Sequence, residues 1–342
     1  MTKAYPIILL VATLAAYLSV YVSPATFWLA GFFSLTIPVL LIANLLLLLL
    51  YAVRRRWQAV YPLAALLVGY PYIAASVVWQ RPSESASPAF SVLSYNVRVF
   101  NIYSHQQRDT PRPTVTWLTQ EDADVKCLQE FYNDDSSAVF NATQRLREQG
   151  TYHSYVNPSL INRIGAQFGL AIFSRFPILN RGEVSTPQDS LQYAIFADLR
   201  TPGGVVRVYN VHLRSMSIDE NTLGDQGAYP SIARKLKNGF TTRAHQVDAL
   251  LSHLRASPHP VVVCGDLNDL PYSYTYFSLR DQLMSSFEEA GRGFGFSYNG
   301  KLFFLRIDNQ FFGEELQAHR FTTYREVDFS DHFPVKAEYS FR

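Results

Sequence analysis

Residues 1–80 contain no aspartate and no glutamate, and their only basic residues are Lys3, Arg54, Arg55 and Arg56. Nothing else in the chain restricts its fold as much, because so long a segment with so little charge is not built to meet water on all sides. Three apolar stretches fill it, at 5–22, 27–53 and 59–79. Each is about 20 residues or longer, enough to cross a hydrocarbon core of roughly 30 Å. With no charge inside them, helices are the form that satisfies every backbone group in lipid. Trp28, Trp57, Tyr61 and Trp79 fall near the ends, where an aromatic belt belongs. The expectation is three transmembrane helices within residues 1–80. A cleaved signal peptide competes for the first stretch, since Lys3 precedes an apolar run and small residues occupy 23–25. Two more apolar runs follow at once, however, and a secreted chain has no need of them.

Arg54-Arg55-Arg56 is the strongest topogenic signal and belongs in the cytoplasm; Lys3, two crossings away, agrees. A third crossing would place the rest of the chain on the opposite face, periplasmic or extracellular. Residues 81–89, beginning RPSESASP, read as a linker, and 90–342 as one soluble domain. With four of the 30 Lys and Arg residues in the first part, this domain carries 26 basic against 28 acidic residues, a formal net charge of −2. A mildly acidic domain lacks the broad basic field that holds duplex nucleic acid by its phosphates. Cys127 and Cys264 each lie in an apolar run and read as small core residues rather than a disulfide or metal pair.

Short apolar runs at 90–97, 125–129, 152–156, 170–173, 193–199, 205–212 and 261–264 read as strands, with later ones at 306–312, 318–323 and 335–341. Thr201-Pro202-Gly203-Gly204 makes 193–212 a hairpin. The clearest helix covers about 231–255, with Phe240, Ala244, Val247, Leu250, Leu251 and Leu254 on one face and Arg243, Gln246 and His253 opposite. Hairpins with covering helices point to an α/β class: two mainly antiparallel sheets packed as a four-layer α/β/β/α sandwich.

Polar residues that periodicity does not explain gather at strand ends, where loops present side chains to a cleft. They are Tyr95-Asn96-Val97, Leu128-Gln129-Glu130, Asn210-Val211-His212-Leu213, Gly265-Asp266-Leu267-Asn268-Asp269, Arg306-Ile307-Asp308 and Ser330-Asp331-His332-Phe333-Pro334. In this order they resemble the endonuclease/exonuclease/phosphatase superfamily, which includes deoxyribonuclease I, over roughly residues 90–342. Gly-Asp-Leu-Asn after a valine run and the terminal Ser-Asp-His-Phe-Pro-Val are the specific parts. The run Asp-Leu-Pro-Tyr-Ser-Tyr at 269–274 resembles a form found in membrane-anchored bacterial members.

The resemblance implies a Mg²⁺-dependent phosphoesterase, with Mn²⁺ as an alternative cation. Glu130 would be the principal metal ligand, with Asn96 and Asp331 completing or bordering the site. Asp266 would orient or deprotonate the attacking water, and Asn268 would hold Asp266 and the phosphate. His212 and His332 would face the phosphoryl oxygens, and Asp308 would fix the tautomer of His332. Arg175 and Asn210 stand behind this set as candidate substrate-binding residues that could equally brace the cleft. Two departures from the family pattern matter: Arg98 stands where abasic-site endonucleases carry an acid, and Asn309 follows Asp308. The polar segment 214–227 reads as a recognition loop or a surface insertion.

The expected substrate is a nucleic acid, a phospholipid or a small phosphoester, the expected environment is the bilayer, and no protein partner is indicated. A different class, a membrane scaffold or receptor that keeps the sandwich without activity, would have lost the acid or the base; Glu130, Asp266 and His332 are all present. A transporter would need ionisable or broken helices near the midplane. The topology has a direct test: a reporter active only in the cytoplasm, fused after Arg342, should stay silent, and strong activity would place the domain with the arginines.

Overall fold

Strand residues point alternately into two different apolar cores, the pattern of sheets covered on both faces. In the first long strand, Phe90 and Val92 enter one core while Leu93 and Tyr95 enter another. The computed structural model describes residues 4–80, 83, 89–103, 113–150, 152–163, 165–186, 189–216, 218, 220–222 and 225–342. The expected linker therefore lies outside the described residues apart from Ser83 and Ala89, and segment 214–227 lies only partly within them.

The N-terminal part consists of α1 (Tyr5–Ser19), α2 (Leu29–Leu35), α3 (Ile37–Val53), α4 (Val60–Val68) and α5 (Tyr70–Ser76). β1 (Val78–Trp79) follows, then β2 (Ala89–Asn96), α6 (Pro113–Gln120), β3 (Val125–Asn133), α7 (Ala142–Gly150), β4 (His153–Ile161) and β5 (Gln167–Ser174). The middle of the domain holds β6 (Ile178–Thr186), β7 (Asp189–Thr201), β8 (Gly204–His212), α8 (Tyr229–Arg255) and β9 (Val261–Asp266). The chain ends with α9 (Tyr274–Arg280), β10 (Met284–Ser285), α10 (Ser286–Ala290), β11 (Arg292–Gly293), β12 (Asp308–Phe312), β13 (Leu316–Thr323) and β14 (Val335–Phe341).

Two six-stranded sheets result, ordered β13-β14-β2-β3-β5-β4 and β10-β12-β9-β8-β7-β6. Each contains one parallel pair, β2 with β3 and β8 with β9, among antiparallel neighbours. The expected hairpin is β7–β8, closing at Thr201 opposite Gly204. Between the sheets lies a core containing Val92, Cys127, Ile172, Ile195, Val208, Val262 and Cys264, so both cysteines are buried and unpaired. Val115, Leu118 and Leu146 of α6 and α7 cover one outer face. Val247 and Leu250 of α8, with Tyr276 and Phe277 of α9, cover the other.

The N-terminal part differs from the expectation of three spanning helices. Among the described residues one helix, Leu29–Val53 at 25 residues, is long and apolar enough to cross a membrane. α1 has only 15 residues. The third stretch is two helices bent by 56°, and it turns into strand at Val78. The bend sits at Gly69 beside Pro71, whose ring removes a backbone donor from the helical ladder. Close packing fixes the glycine, because a Cβ there would lie 2.2 Å from the Tyr17 hydroxyl oxygen.

Buried polar side chains also bind these helices together. Asn44 Nδ2 donates to Thr13 Oγ1 at 2.8 Å, Tyr72 donates to the Tyr17 carbonyl at 2.7 Å, and the two tyrosine rings stack 4.4 Å apart. The same helices close over the layer formed by α8 and α9. Tyr21 meets Phe277, Phe32 meets Phe240, and a buried Arg306 Nη2 donates to the Ala75 carbonyl near the end of α5.

One glycine is dictated by the sheet. Gly265, in β9, has φ +147°, and a Cβ there would lie 1.9 Å from the Val211 carbonyl oxygen of its parallel neighbour. Gly265→Ala therefore forces β8 and β9 apart, and a loss of roughly 3 kcal/mol or more is expected, at the upper end of single substitutions. A thermal midpoint within a degree of wild type would contradict the packing described.

Candidate active site

The site is assembled from the ends of strands belonging to different sheets. Asn96 ends β2 and Glu130 interrupts β3 of one sheet; His212 ends β8, Asp266 ends β9 and Asp308 begins β12 of the other. Glu130 reaches the cleft through a bulge: the register of β3 against β5 shifts between Leu128 and Phe131, and Glu130 takes φ +49°. Such a bulge re-aims a side chain that regular pleating would bury. Asn268 also has φ +49°, a conformation that asparagine tolerates better than most residues.

Asp266 lies at the centre and is almost fully buried. Its Oδ1 accepts from the Asn268 backbone N–H at 2.7 Å, and its Oδ2 accepts from Asn268 Nδ2 and Asn96 Nδ2, each at 3.1 Å. Asn96 Nδ2 also reaches Glu130 Oε1 at 3.2 Å. His212 Nε2 stands 3.7 Å from both Glu130 Oε1 and Asp266 Oδ2. On the other side His332 Nε2 stands 3.7 Å from Asp266 Oδ2, while its Nδ1 bonds Asp308 Oδ2 at 2.9 Å. Ser297 Oγ accepts from the backbone N–H groups of Ile307 and Asp308 and steadies that end.

Burial alone would depress the His332 imidazolium, but Asp308 and Asp266 outweigh it and push His332 up to about 10. Burial also draws Asp308 toward its protonated form. The pull on the ring prevails because a second carboxylate, Asp266, faces it. His332 is therefore held as a cation with an N–H directed into the cleft.

Asp331 closes the far side, where Arg98 Nε approaches its Oδ2 at 3.4 Å. Arg98 to Asn101 all have positive φ, and Asn101 Nδ2 ties this left-handed turn to the Phe329 carbonyl at 2.6 Å. The residue that departs from the family pattern is thus built into the wall beside Asp331.

The sequence expectations separate into three groups. Asn96, Glu130, His212, Asp266, Asn268, Asp308, Asp331 and His332 converge. Asn210 is fully buried behind them: its Nδ2 donates to the Leu128 and Ala171 carbonyls at 2.9 Å each, and its Oδ1 accepts from Gln129 Nε2 at 2.6 Å. It clamps the sheets and does not face the cleft. Arg175 is not brought to the site at all. β5 runs antiparallel to β3, so Ser174 pairs with Val125, and Arg175 binds Asp122 at 2.6 Å, about 16 Å along the sheet from Glu130.

Arg243 is the important residue that periodicity assigned to the wrong side. It is fully buried, its Nε bonds Asp269 Oδ2 at 3.0 Å, and its Nη1 bonds the Arg214 carbonyl at 3.0 Å. Gln246, also buried, accepts from the Arg214 N–H at 2.9 Å. Together they fasten the segments after His212 and after Asp266 to α8. Asp269, directly after the Asp-Leu-Asn run, was the available signal for a buried cationic partner.

The cleft has a volume of ≈ 420 Å³ and is lined by Glu130, Asp266, Asn268, Asp331 and His332. A cavity of ≈ 460 Å³ beside Phe287, Arg292 and Arg320 holds none of these groups. Asp266, Asp308 and His332 place ligand-type atoms within 4.8 Å of one another. The hydrogen bond from His332 Nδ1 to Asp308 makes these two an acid–imidazole pair, whose Nε2 faces Asp266 at 3.7 Å. Glu130 is better disposed to a cation, since its carboxylate side chain is 38% exposed, is paired with no lysine or arginine among the described ion pairs, and offers hard oxygen ligands to the cleft.

A family model described as the Endonuclease/Exonuclease/phosphatase family matches residues 93–332, and one described as a domain of unknown function matches 4–76. No curated protein matches the sequence. Similar solved structures include an endonuclease/exonuclease/phosphatase from Beutenbergia cavernae, 19% identical with TM-score 0.54, covering 74% of this chain and 72% of that one. A mannosyl-6-phosphatase from Bacteroides thetaiotaomicron is 18% identical with TM-score 0.52, covering 74% of this chain and 100% of its own. A 3′ phosphatase from Neisseria, bound to a product DNA hairpin, is 19% identical with TM-score 0.52, covering 74% and 99%. Identities this low speak for the fold alone.

The Arg243–Asp269 pair can be tested without any substrate. Arg243→Met strands a buried carboxylate and should cost about 3–5 kcal/mol, read as a lowered thermal midpoint. A loss below about 1 kcal/mol would show that Asp269 finds water or another partner.

Proposed function

The chain belongs to the Endonuclease/Exonuclease/phosphatase family, and on that premise we propose that residues 90–342 hydrolyse a phosphoester by attack of water, assisted by Mg²⁺ or Mn²⁺. The observation that carries this reading is the convergence of four carboxylates, Glu130, Asp266, Asp308 and Asp331, on two imidazoles in one cleft. So many acids beside so few cations favour a divalent ion, and an all-oxygen donor set suits a hard one. The cation, held by Glu130 with Asn96 and Asp331 at its border, would neutralise charge on the phosphoryl oxygens.

The chain's own groups supply the remaining steps. Asp266, fixed by three hydrogen bonds, orients the attacking water and accepts its proton. Asn268 holds that carboxylate and, with His212, contacts the phosphoryl group. His332 presents its N–H to oxygens that become more negative in the transition state, where a preformed donor has most effect. Asp308 positions His332. One observation favours the inactive sandwich: Arg98 pairs with Asp331 and draws one acid away from the cation side. Glu130, Asp266 and His332 remain free of such competition from arginine or lysine among the described ion pairs.

We further propose that residues 1–80 anchor the enzyme in a bilayer, with the helix Leu29–Val53 as its principal span. Phe32, Tyr21 and Ala75, which touch the catalytic domain, lie at one end of the helices, whereas Arg54 to Arg56 follow the far end of α3. Twenty-five helical residues separate the two ends by about 37 Å. This supports arginines in the cytoplasm and the domain outside it.

Hydrolysis of bis(4-nitrophenyl) phosphate and of 4-nitrophenyl phosphate by the full chain should disappear in excess chelator and return with Mg²⁺ or Mn²⁺. Asp266→Asn or His332→Ala should lower kcat by at least about 10²-fold while leaving the thermal transition cooperative. Chelator-resistant turnover, or wild-type turnover in either variant, would remove the proposed chemistry.

A further inference from the structure

The cleft lining is not all polar. Besides Glu130, Asp266 and His332 it includes the apolar side chains of Leu35, Met216, Ile218, Leu236, Leu302 and Leu305. Leu35 does not belong to the catalytic domain. It lies six residues into the 25-residue apolar helix Leu29–Val53, about 9 Å along its axis from Leu29. The helix that best qualifies as a membrane span thus supplies a wall of the phosphoester-cleaving cleft.

The contact that brings it there is tight. Phe32 packs edge-on against Phe240 of α8 with ring centroids 5.4 Å apart, and a Cβ on Gly31 would lie 2.5 Å from the Phe240 ring. Leu236 precedes Phe240 by one helical turn and shares its side of α8. The close α2–α8 contact therefore sets Leu35 and Leu236 side by side. Phe303 and Phe304, which follow Leu302, are 58% and 50% exposed, so the apolar surface continues from the wall outward. A nucleotide has only the faces of its base to place against such a wall, and a sugar phosphate has no group to place there. A hydrocarbon chain does.

We propose that the substrate is a lipid phosphoester drawn from the same bilayer: its phosphoryl group lies between His212, Asn268 and His332, and its hydrocarbon chain leaves the cleft along Leu35, Leu236 and Leu302. This rests on the phosphoesterase reading above and names its substrate class. Burying methylenes against that wall contributes roughly two- to fourfold in affinity for each one taken from water.

The test uses the full chain in phosphatidylcholine nanodiscs with Mg²⁺ and two matched pairs of probes. One pair is dioctanoyl phosphatidylglycerol and glycerophosphoglycerol, both phosphodiesters; the other is dioctanoyl phosphatidic acid and glycerol 3-phosphate, both phosphomonoesters. In at least one pair the acylated member should have a kcat/KM at least about tenfold higher, and Leu35→Asn with Leu236→Asn should reduce that preference at least about threefold. Which pair responds distinguishes a diesterase from a monoesterase. Equal or faster turnover of the deacylated members, or turnover of only bis(4-nitrophenyl) phosphate or oligonucleotides, overturns the inference and leaves the phosphoesterase reading standing. An acyl preference untouched in the double variant removes the Leu35 wall as its cause and likewise overturns the inference. No metal-dependent turnover of any phosphoester defeats both readings. Wild-type chain preference alone decides the substrate class if the double variant fails to fold.

Discussion

The groups that meet in the cleft come from two separate sheets, so everything depends on how the ends of those sheets are held face to face. Asn210 does this. From β8 it donates to the Leu128 and Ala171 carbonyls of the opposite sheet, two residues that pair with each other just before the Glu130 bulge. The bulge interrupts the ladder there, and the Asn210 amide fills the interrupted place. Gln129 completes the clamp by donating to Asn210 Oδ1 across the sheets and to Ser94 Oγ within its own. A hydrophobic core alone allows sheets to slide by small amounts, whereas three directed bonds in a dry interface do not. Glu130 and His212 owe their 3.7 Å separation to it.

Electrostatics then decides what the assembled groups can be. Four acids this close would repel one another, and the site offsets this from both ends. His332 carries a charge between Asp308 and Asp266, and the Asn96 amide places its hydrogens between Asp266 and Glu130. Left-handed backbone at Glu130, Asn268 and the turn from Arg98 to Asn101 costs energy that the surrounding packing must outweigh. Its location, confined largely to the cleft margin, matches the use of strain to aim side chains.

Much of this was legible before any coordinates. A valine run ending in Gly-Asp-Leu-Asn reads as a buried strand delivering polar groups to a loop, and Ser-Asp-His-Phe-Pro reads as a second delivery point. What failed has definite causes. Periodicity cannot distinguish a solvent face from a second buried face, so it places Arg243 and Gln246 opposite the apolar face without showing that they too are buried. Arg175 sat in a suggestive context, yet only strand direction shows that it leaves the sheet at the wrong end. Hydropathy saw 59–79 as one segment; the bend at Gly69 and the strand at Val78 depend on Tyr17 and on β11, partners remote in sequence.

That strand also fixes how the N-terminal helices meet the rest of the chain. Val78 and Trp79 pair with Gly293 and Arg292, the Gln80 N–H bonds the Gly291 carbonyl at 3.2 Å, and Arg306 holds the carbonyl of Ala75. The junction between helices and domain is therefore a bracket, not a leash. On the proposed bilayer placement, the mouth of the cleft has a set height and a set tilt over the lipid, and it cannot swing out to sample the aqueous volume. Encounters are then governed by how many substrate molecules occupy each unit of membrane area, so the rate would follow their mole fraction in the leaflet and be indifferent to the volume of the surrounding compartment.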